Sequence, residues 1–359
     1  MNNEMLTNIL AQFDIESDIM PYGNGHINDT YLCEPLRYIL QRINTTIFKD
    51  PDGLMDNIQN VTDHLKRKIE AACGDPMRES LTIVPTVSGE KYYRSGEDVF
   101  RVYYFISDTK TIENDKTYED IYNAGVGFGR FGRMMDDFPV ELLHETIPDF
   151  HNTPKRVEAL YEAVEKNASG RADDVRKEIE FVRKSADLAS AVTDALASGK
   201  IPVRVTHNDT KINNILFDNK TGKPVCVIDL DTIMPGSILY DFGDALRMGG
   251  STAAEDESDL SKVRFDTESF RCFARGWLSE MKDKLTDTEI QLLPVSVRLM
   301  TYECGVRFLT DHINGDVYFK IHRDGHNLDR ARNQFRLCEE LKEKKPELSR
   351  IINEILKEG

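Results

Sequence analysis

The chain is short of basic residues. Lysine and arginine number 46 against 62 aspartates and glutamates, which leaves a formal net charge of −16 over 359 residues. Tracking a phosphate backbone or an anionic bilayer needs a basic surplus, so neither nucleic acid nor membrane is expected as a partner. Any phosphorylated ligand must then be met by a local basic patch or a metal ion. No stretch approaches the ~20 apolar residues of a membrane-spanning helix. Residues 1–14 lack a basic segment leading into an apolar run, so no signal peptide is expected. Cysteine is sparse and scattered, at positions 33, 73, 226, 272, 304 and 338, with no CxxC pair. That spacing excludes a zinc ribbon or thioredoxin-type site and does not look like a secreted disulfide scaffold, so a reduced, cytoplasmic protein is the expectation. A Walker A loop is missing, because Gly222-Lys223 is followed by Pro224, and there is no GxSxG nucleophile elbow.

What is present is ordinary globular material, 40% hydrophobic and 30% charged, in a chain long enough for two domains or lobes of roughly 150 residues each. Strand signals crowd the first hundred residues: residues 17–34 ending in Thr30-Tyr31-Leu32-Cys33, then Tyr38-Ile39-Leu40, residues 80–84, and residues 99–106. A helix is expected between them at about 52–72, where Leu54, Ile58, Val61 and Leu65 recur at three- and four-residue steps. Beyond residue 107 the pattern is mainly helical. Stripes run through Ile121, Ala124, Phe128, Phe131 and Met135, and through Phe270, Phe273, Trp277, Leu278 and Met281. Residues 153–168 and 172–198 read as charged helices, and residues 327–357 as two helices broken near Pro346. A sheet-rich first third before a helical remainder predicts an α+β fold, divided into residues 1–106 and 107–359.

The densest polar cluster is His207-Asn208-Asp209-Thr210-Lys211, followed by Asn213-Asn214 and flanked by apolar runs. Twenty residues after Asp209 an apolar run, Val227-Ile228, ends in Asp229-Leu230-Asp231. Carboxylates at the end of a buried strand are costly unless cations or donors meet them. Phosphoryl transfer asks for these parts in this order: an Asp for the acceptor hydroxyl, an Asn five residues on for a metal ion, and a second Asp on a following strand that bridges metal to phosphate. Asp209, Asn214 and Asp229 satisfy it, and Lys211 is placed to offset charge developing on the transferred group. His207 reads as a packed organiser of the loop. For Asp231, ligation of metal and bonding to local backbone stand level.

These segments resemble the aminoglycoside phosphotransferase and choline kinase-like branch of the kinase fold. The longer runs are similar to the N-acetylhexosamine 1-kinases: Pro21-Tyr22-Gly23-Asn24-Gly25-His26-Ile27-Asn28, Arg204 through Lys211, Ile228 through Ser237, and Glu303 through Leu309. The resemblance runs from about residue 8 to the C-terminus. It implies a two-lobed protein kinase-like fold with a β-rich nucleotide-binding lobe and a helical catalytic and sugar-binding lobe. It further implies ATP- and Mg²⁺-dependent phosphorylation of the anomeric 1-hydroxyl of GlcNAc or GalNAc; separately, a monomer is the expectation. On this resemblance Asp209 is the base, and Asn214 and Asp229, with Asp231 as a possible aid, hold metal and phosphate. Asp241 braces the catalytic loop, and His26, Arg307 and Tyr318 join Asp209 in contacting sugar. Phe105 and Ile106 form the adenine hinge. One departure stands out: Gln41 occupies the place of the lysine that grips the nucleotide phosphates. Either Arg42 or Lys211 substitutes, or the metal and the Gly23-Asn24-Gly25 backbone suffice. That turn reads equally as a phosphate loop or a bare β-turn. Kinases of choline, homoserine or aminoglycosides, an inactive nucleotide-binding module, and a metal phosphohydrolase built on His207, Asp209 and Asp229 are the competing readings.

Gly127-Phe128-Gly129-Arg130-Phe131-Gly132 matches GxGxxG formally, but a helical stripe passes straight through it, so close helix packing is expected rather than a dinucleotide site. His322 and His326 are expected in a loop, without a zinc motif.

Overall fold

The computed structural model describes residues 3–23, 27–35, 37–113 and 116–358. The chain gathers into two compact units, each made from separate stretches. The first comprises Met1–Ile112, Met134–Pro148 and Asn213–Pro235; the second comprises Glu113–Arg133, Asp149–Ile212 and Gly236–Gly359. The sequence pattern places a division at 106/107; by packing, residues 134–148 and 213–235 group with the N-terminal stretch.

The first unit is built on an antiparallel sheet. Its strands Asp18–Pro21, Asp29–Glu34, Tyr38–Ile43, Asp98–Tyr104 and Ile83–Val84 lie in that order, with Tyr93–Ser95 also paired to Asp98–Tyr104. Side chains alternate across the sheet. Leu40, Phe100, Val102 and Cys33 bury themselves with Leu6, Ile9, Leu10 and Phe13 from the N-terminal helix Asn3–Leu10 and the turn after it. Gln41 and Arg101 alternate to the other face, where Met55 of helix Pro51–Ala71 comes within 4.0 Å of Arg101. That helix begins where expected, because Pro51 takes its first turn and the Asp50 carboxylate accepts the Gly53 N–H at 3.0 Å. Its buried stripe is Leu54, Ile58, Val61, Leu65 and Ile69. The stripe also carries Asn57, fully buried, whose amide donates to the carbonyls of His144 (2.8 Å) and Ile233 (2.9 Å) and accepts the His144 N–H (2.7 Å). The strand expected over 80–84 shrinks to Ile83–Val84, since Asp75 caps a short helix, Pro76–Glu79, that the chain leaves only at Ser80. A second small sheet pairs Pro224–Val227, Ile215–Asp218 and Thr109–Lys110.

The second unit is helical. Helix Asp287–Asn314 runs through it, opened by a capping box between Thr286 and Glu289 and closed by Gly315 at φ 95°. Helices Ile238–Gly249, Thr153–Lys166 and His326–Glu358 pack around it. The formal GxGxxG segment lies inside helix Tyr118–Met134 and serves helix packing. A methyl group on Gly125 would lie 2.3 Å from the Phe273 carbonyl oxygen, and one on Gly276 would lie 2.1 Å from that of Tyr122. Helices Tyr118–Met134 and Thr267–Met281 therefore meet backbone to backbone.

Two helical expectations need correction. Residues 172–198 are not one helix but a 3₁₀ turn, Ala172–Val175, and helices Arg176–Lys184, Ala186–Ala189 and Ala191–Ala197. The breaks fall at Ser185 and Ser190, and re-aiming the chain there keeps Val182, Leu188, Val192 and Ala195 all buried. Conversely, His326–Glu358 continues through Pro346. Pro346 is exposed, so water can solvate the carbonyl it leaves without a partner, while buried Leu341, Leu348, Ile351 and Ile352 carry the packing past it. His326 opens this helix rather than lying in a loop; its Nδ1 accepts the His322 N–H at 3.2 Å and its Nε2 faces Asp256 at 3.1 Å. All six cysteines are free. Among the described residues no helix is long and apolar enough to cross a membrane.

Candidate active site

The catalytic-loop candidates of the second unit hang from one buried carboxylate. Strand Arg204–Thr206 delivers the chain to His207, and Asn208 turns it with a left-handed φ of 65°. Asp241, in the first turn of helix Ile238–Gly249, accepts the N–H groups of His207 (2.9 Å) and Asn208 (2.8 Å), and its own carbonyl accepts the Thr210 hydroxyl at 2.6 Å. Burial pushes the Asp241 carboxyl up, against the pull of His207 and the two N–H donors. The His207 ring is fully buried, edge-on to Phe128 and Phe131, and its Nδ1 accepts the Asp209 N–H at 3.3 Å. This is the packed organiser that the sequence suggests.

Asp209 emerges from this support with a fifth of its side chain exposed, and Lys211 Nζ lies 2.8 Å from its Oδ1. Burial acts to raise the Asp209 carboxyl, but Lys211 foremost, with His207 and Arg247, outweighs it and holds the group below the usual carboxylate range. An ionised carboxylate beside an ammonium can accept a hydroxyl hydrogen while the ammonium faces incoming negative charge.

A second support was not legible in the sequence. Glu303, buried in helix Asp287–Asn314, accepts from Thr153 at 2.6 Å and faces His151 Nδ1 at 2.7 Å; the opposite ring nitrogen of His151 meets the Asn208 carbonyl at 3.3 Å. Burial would raise the Glu303 carboxyl, yet His151 and Arg307 bring it below its ordinary value. One turn on, the Arg307 guanidinium lies over the rings of Phe150 (5.4 Å) and Phe319 (5.5 Å). Tyr318 is 58% exposed as a residue, its ring edge-on to Phe319, and its N–H donates to Asp311 at 2.8 Å. Arg307 and Tyr318 thus both contact Phe319. Arg156 lies close by: burial, then the charge of Arg307, lowers its pKa.

The remaining candidates belong to the first unit, the chain passing between the units at Ile212 and Asn213. Val227 pairs with Ile215, and the Ile228 N–H continues the ladder to the Asn214 carbonyl at 2.9 Å. Asn214 and Asp229 therefore leave adjacent strand ends. Asp229 takes a left-handed φ of 60° and starts the 3₁₀ turn Leu230–Thr232. An amide and a carboxylate suit a hard divalent cation such as Mg²⁺, which is commonly held by one or two protein oxygens together with phosphates. Among the described residues no cluster of three or more His, Cys, Asp or Glu side chains is placed to hold a metal ion.

Asp231 has a different neighbour from either one expected. Its Oδ1 lies 2.6 Å from Arg101 Nη1, an ion pair in which both side chains are almost wholly buried, and its Oδ2 accepts the Asn28 amide at 2.6 Å. Arg42 alternates to the strand face opposite Gln41 and pairs with Asp29 (2.7 Å) and Asp98 (3.2 Å). The Phe105 N–H is bound to the Arg37 carbonyl at 2.7 Å, and its ring meets Tyr22 edge-on; Ile106 is buried. Gly23 has a φ of 75°, as a turn requires. Asn24, Gly25 and His26 lie outside the described residues.

Solved structures share this architecture. The chain is similar to a microcompartment-associated aminopropanol kinase, at 16% identity over 97% of this chain and 99% of that one, with a TM-score of 0.62. An aminoglycoside phosphotransferase from Alicyclobacillus acidocaldarius gives 14% identity, 97% and 96% coverage and a TM-score of 0.64. The amicoumacin kinase hAmiN, solved with AMP-PNP and Ca²⁺, gives 15%, 96% and 94%, and 0.59. At these identities the likeness shows the fold, the protein-kinase-like one expected, with a β-sheet N-terminal lobe and a helical C-terminal region. Residues 18–272 match the phosphotransferase enzyme family, and the chain belongs to it.

Proposed function

We propose that the chain is an ATP- and Mg²⁺-dependent kinase that phosphorylates the anomeric 1-hydroxyl of an N-acetylhexosamine, giving the sugar 1-phosphate and ADP. The observation that carries this reading is the Asp209 carboxylate, ionised beside Lys211 on a loop pinned by Asp241. Asp209 accepts the acceptor hydroxyl's hydrogen and aims its oxygen; in a loose phosphoryl-transfer transition state this positioning matters more than early proton removal. Lys211 offsets charge on the transferred group. Asn214 and Asp229 are the residues that would hold the metal, which when bound neutralises phosphate charge. Phe105 and Ile106 take the adenine hinge, with Ile106 the backbone donor, since the Phe105 N–H is already bound to Arg37.

The acceptor wall supports a neutral sugar over a choline-like cation. The two aromatic rings that would cage a cation, Phe150 and Phe319, already lie against the Arg307 guanidinium, and Arg156 adds a second positive charge nearby. Guanidinium groups suit hydroxyl and acetamido carbonyl oxygens.

The test mixes protein, Mg-ATP and candidate acceptors and follows phosphorus NMR. An anomeric sugar phosphate is expected. Phosphate on a 6-hydroxyl, on choline or free in solution overturns the assignment. Asp209→Asn should lower turnover by about 10²–10⁴-fold while nucleotide affinity stays nearly intact.

A further inference from the structure

The missing lysine at Gln41 has a structural counterpart one strand away. Thr30, Gln41 and Arg101 stand side by side on three neighbouring strands, since Thr30 pairs with Gln41 and Gln41 with Arg101. Their side chains form a file. The Gln41 amide donates to Thr30 Oγ1 at 3.1 Å, and its Oε1 accepts both Nε (3.0 Å) and Nη2 (2.8 Å) of Arg101. The third nitrogen of the fork, Nη1, reaches Asp231 at 2.6 Å. Tyr103 lies under the guanidinium at 5.1 Å. Arg101 is 1% exposed, and despite burial its charge is reinforced by Asp231 and, further off, by Asp229. A lysine at position 41 would bring a second cation within about 3 Å of this guanidinium; glutamine, a neutral acceptor, is what Arg101 requires there.

We propose that Arg101 replaces the strand lysine as a positioning residue rather than a phosphate grip. It neutralises Asp231 and fixes the Leu230–Thr232 turn, which assigns the divalent cation to Asp229 and removes Asp231 from the metal ligands. The proposal rests on the metal–nucleotide reading given above. Burial supports it, because a guanidinium with 1% exposure, hydrogen-bonded to Gln41, ion-paired with Asp231 and within 4.0 Å of the Met55 sulfur, is built to hold protein in place.

The test is binding of Mn²⁺ with ADP, measured by electron paramagnetic resonance and calorimetry, on the wild type, Arg101→Met, Asp231→Asn and the double variant, with circular dichroism to confirm folding. Arg101→Met strands a buried carboxylate, and Asp231→Asn leaves Arg101 to compete for Asp229; each should weaken Mn²⁺ binding about 10–100-fold, as loss of an outer-shell partner does. The double variant, neutral again, should recover to within about threefold of the wild type. A folded double variant as weak as Arg101→Met would mean a direct grip by Arg101 or ligation by Asp231, and would overturn the proposal. So would an Arg101→Met protein that binds like the wild type. If the wild type itself fails to bind Mn²⁺ with ADP, the kinase reading falls first. Should Arg101→Met not fold, the double variant against the wild type still decides.

Discussion

Asp241 holds His207 and Asn208 by their backbone N–H groups at 2.9 and 2.8 Å, one carboxylate oxygen to each. The second bond lands on the residue immediately before Asp209, whose left-handed φ of 65° sets the direction in which the next side chain leaves. Asp241→Asn keeps the shape but turns an NH₂ group toward a donor. Losing a buried, charge-assisted bond costs about 1.5–3 kcal/mol. Turnover should fall at least about tenfold, and amide exchange at 207–208 should quicken. Unchanged exchange at those two amides would contradict the bracing role.

The depressed pKa of Asp209 has a sign that can be read from rate against pH. Lys211 lowers it against burial, so removing that charge with Lys211→Met leaves burial to push it up. The acidic limb of the rate profile should then move to higher pH than in the wild type. The same linkage bears on stability. The folded-state pKa lies below the unfolded one, so the stabilisation is present above the ordinary carboxylate range and disappears as pH falls through the folded value. Denaturant titrations at neutral and acidic pH should show a smaller acid loss in Lys211→Met.

Packing between helices Tyr118–Met134 and Thr267–Met281 leaves no room for a side chain. Gly276→Ala puts a methyl group 2.1 Å from the Tyr122 carbonyl oxygen, so backbone must move. Overpacking of this kind typically costs about 1–3 kcal/mol. A urea midpoint equal to that of the wild type would show that the helices do not press together there.

The Arg307 guanidinium lies over two rings, at 5.4 and 5.5 Å, contacts that a flat guanidinium makes better than an ammonium. Arg307→Lys should therefore raise the acceptor KM about tenfold or more, with the KM for ATP unchanged. Steady-state kinetics with each substrate varied in turn provides the measurement. Equal rises in both constants would place Arg307 in general stability rather than at the acceptor.

Much of this arrangement can be read from local pattern. Spacing marks Asp209, Asn214 and Asp229 as candidates, and three- and four-residue periodicity gives helix Pro51–Ala71 to within a residue. Pairings set by strand register escape such reading. Arg101 sits in a run of β-formers and looks like any strand residue until register places it beside Gln41 and burial places it against Asp231, 130 positions later. His151 and Glu303 are hidden as well, since only tertiary packing brings the turn before helix Thr153–Lys166 against helix Asp287–Asn314. Proline misleads at 346, where exposure removes its penalty, and serine at 185 and 190 breaks a helix that charge and periodicity make look continuous.

The buried amide of Asn57 bears on how a helix is held. One side chain uses three hydrogen bonds to fasten helix Pro51–Ala71 to the backbone at His144 and Ile233, the latter two residues past Asp231. Swinging that helix outward would bare the amide and three backbone groups together in a dry interior. Displacing the helix would therefore break three bonds at once, an energetic cost that ties its position to the backbone at His144 and Ile233.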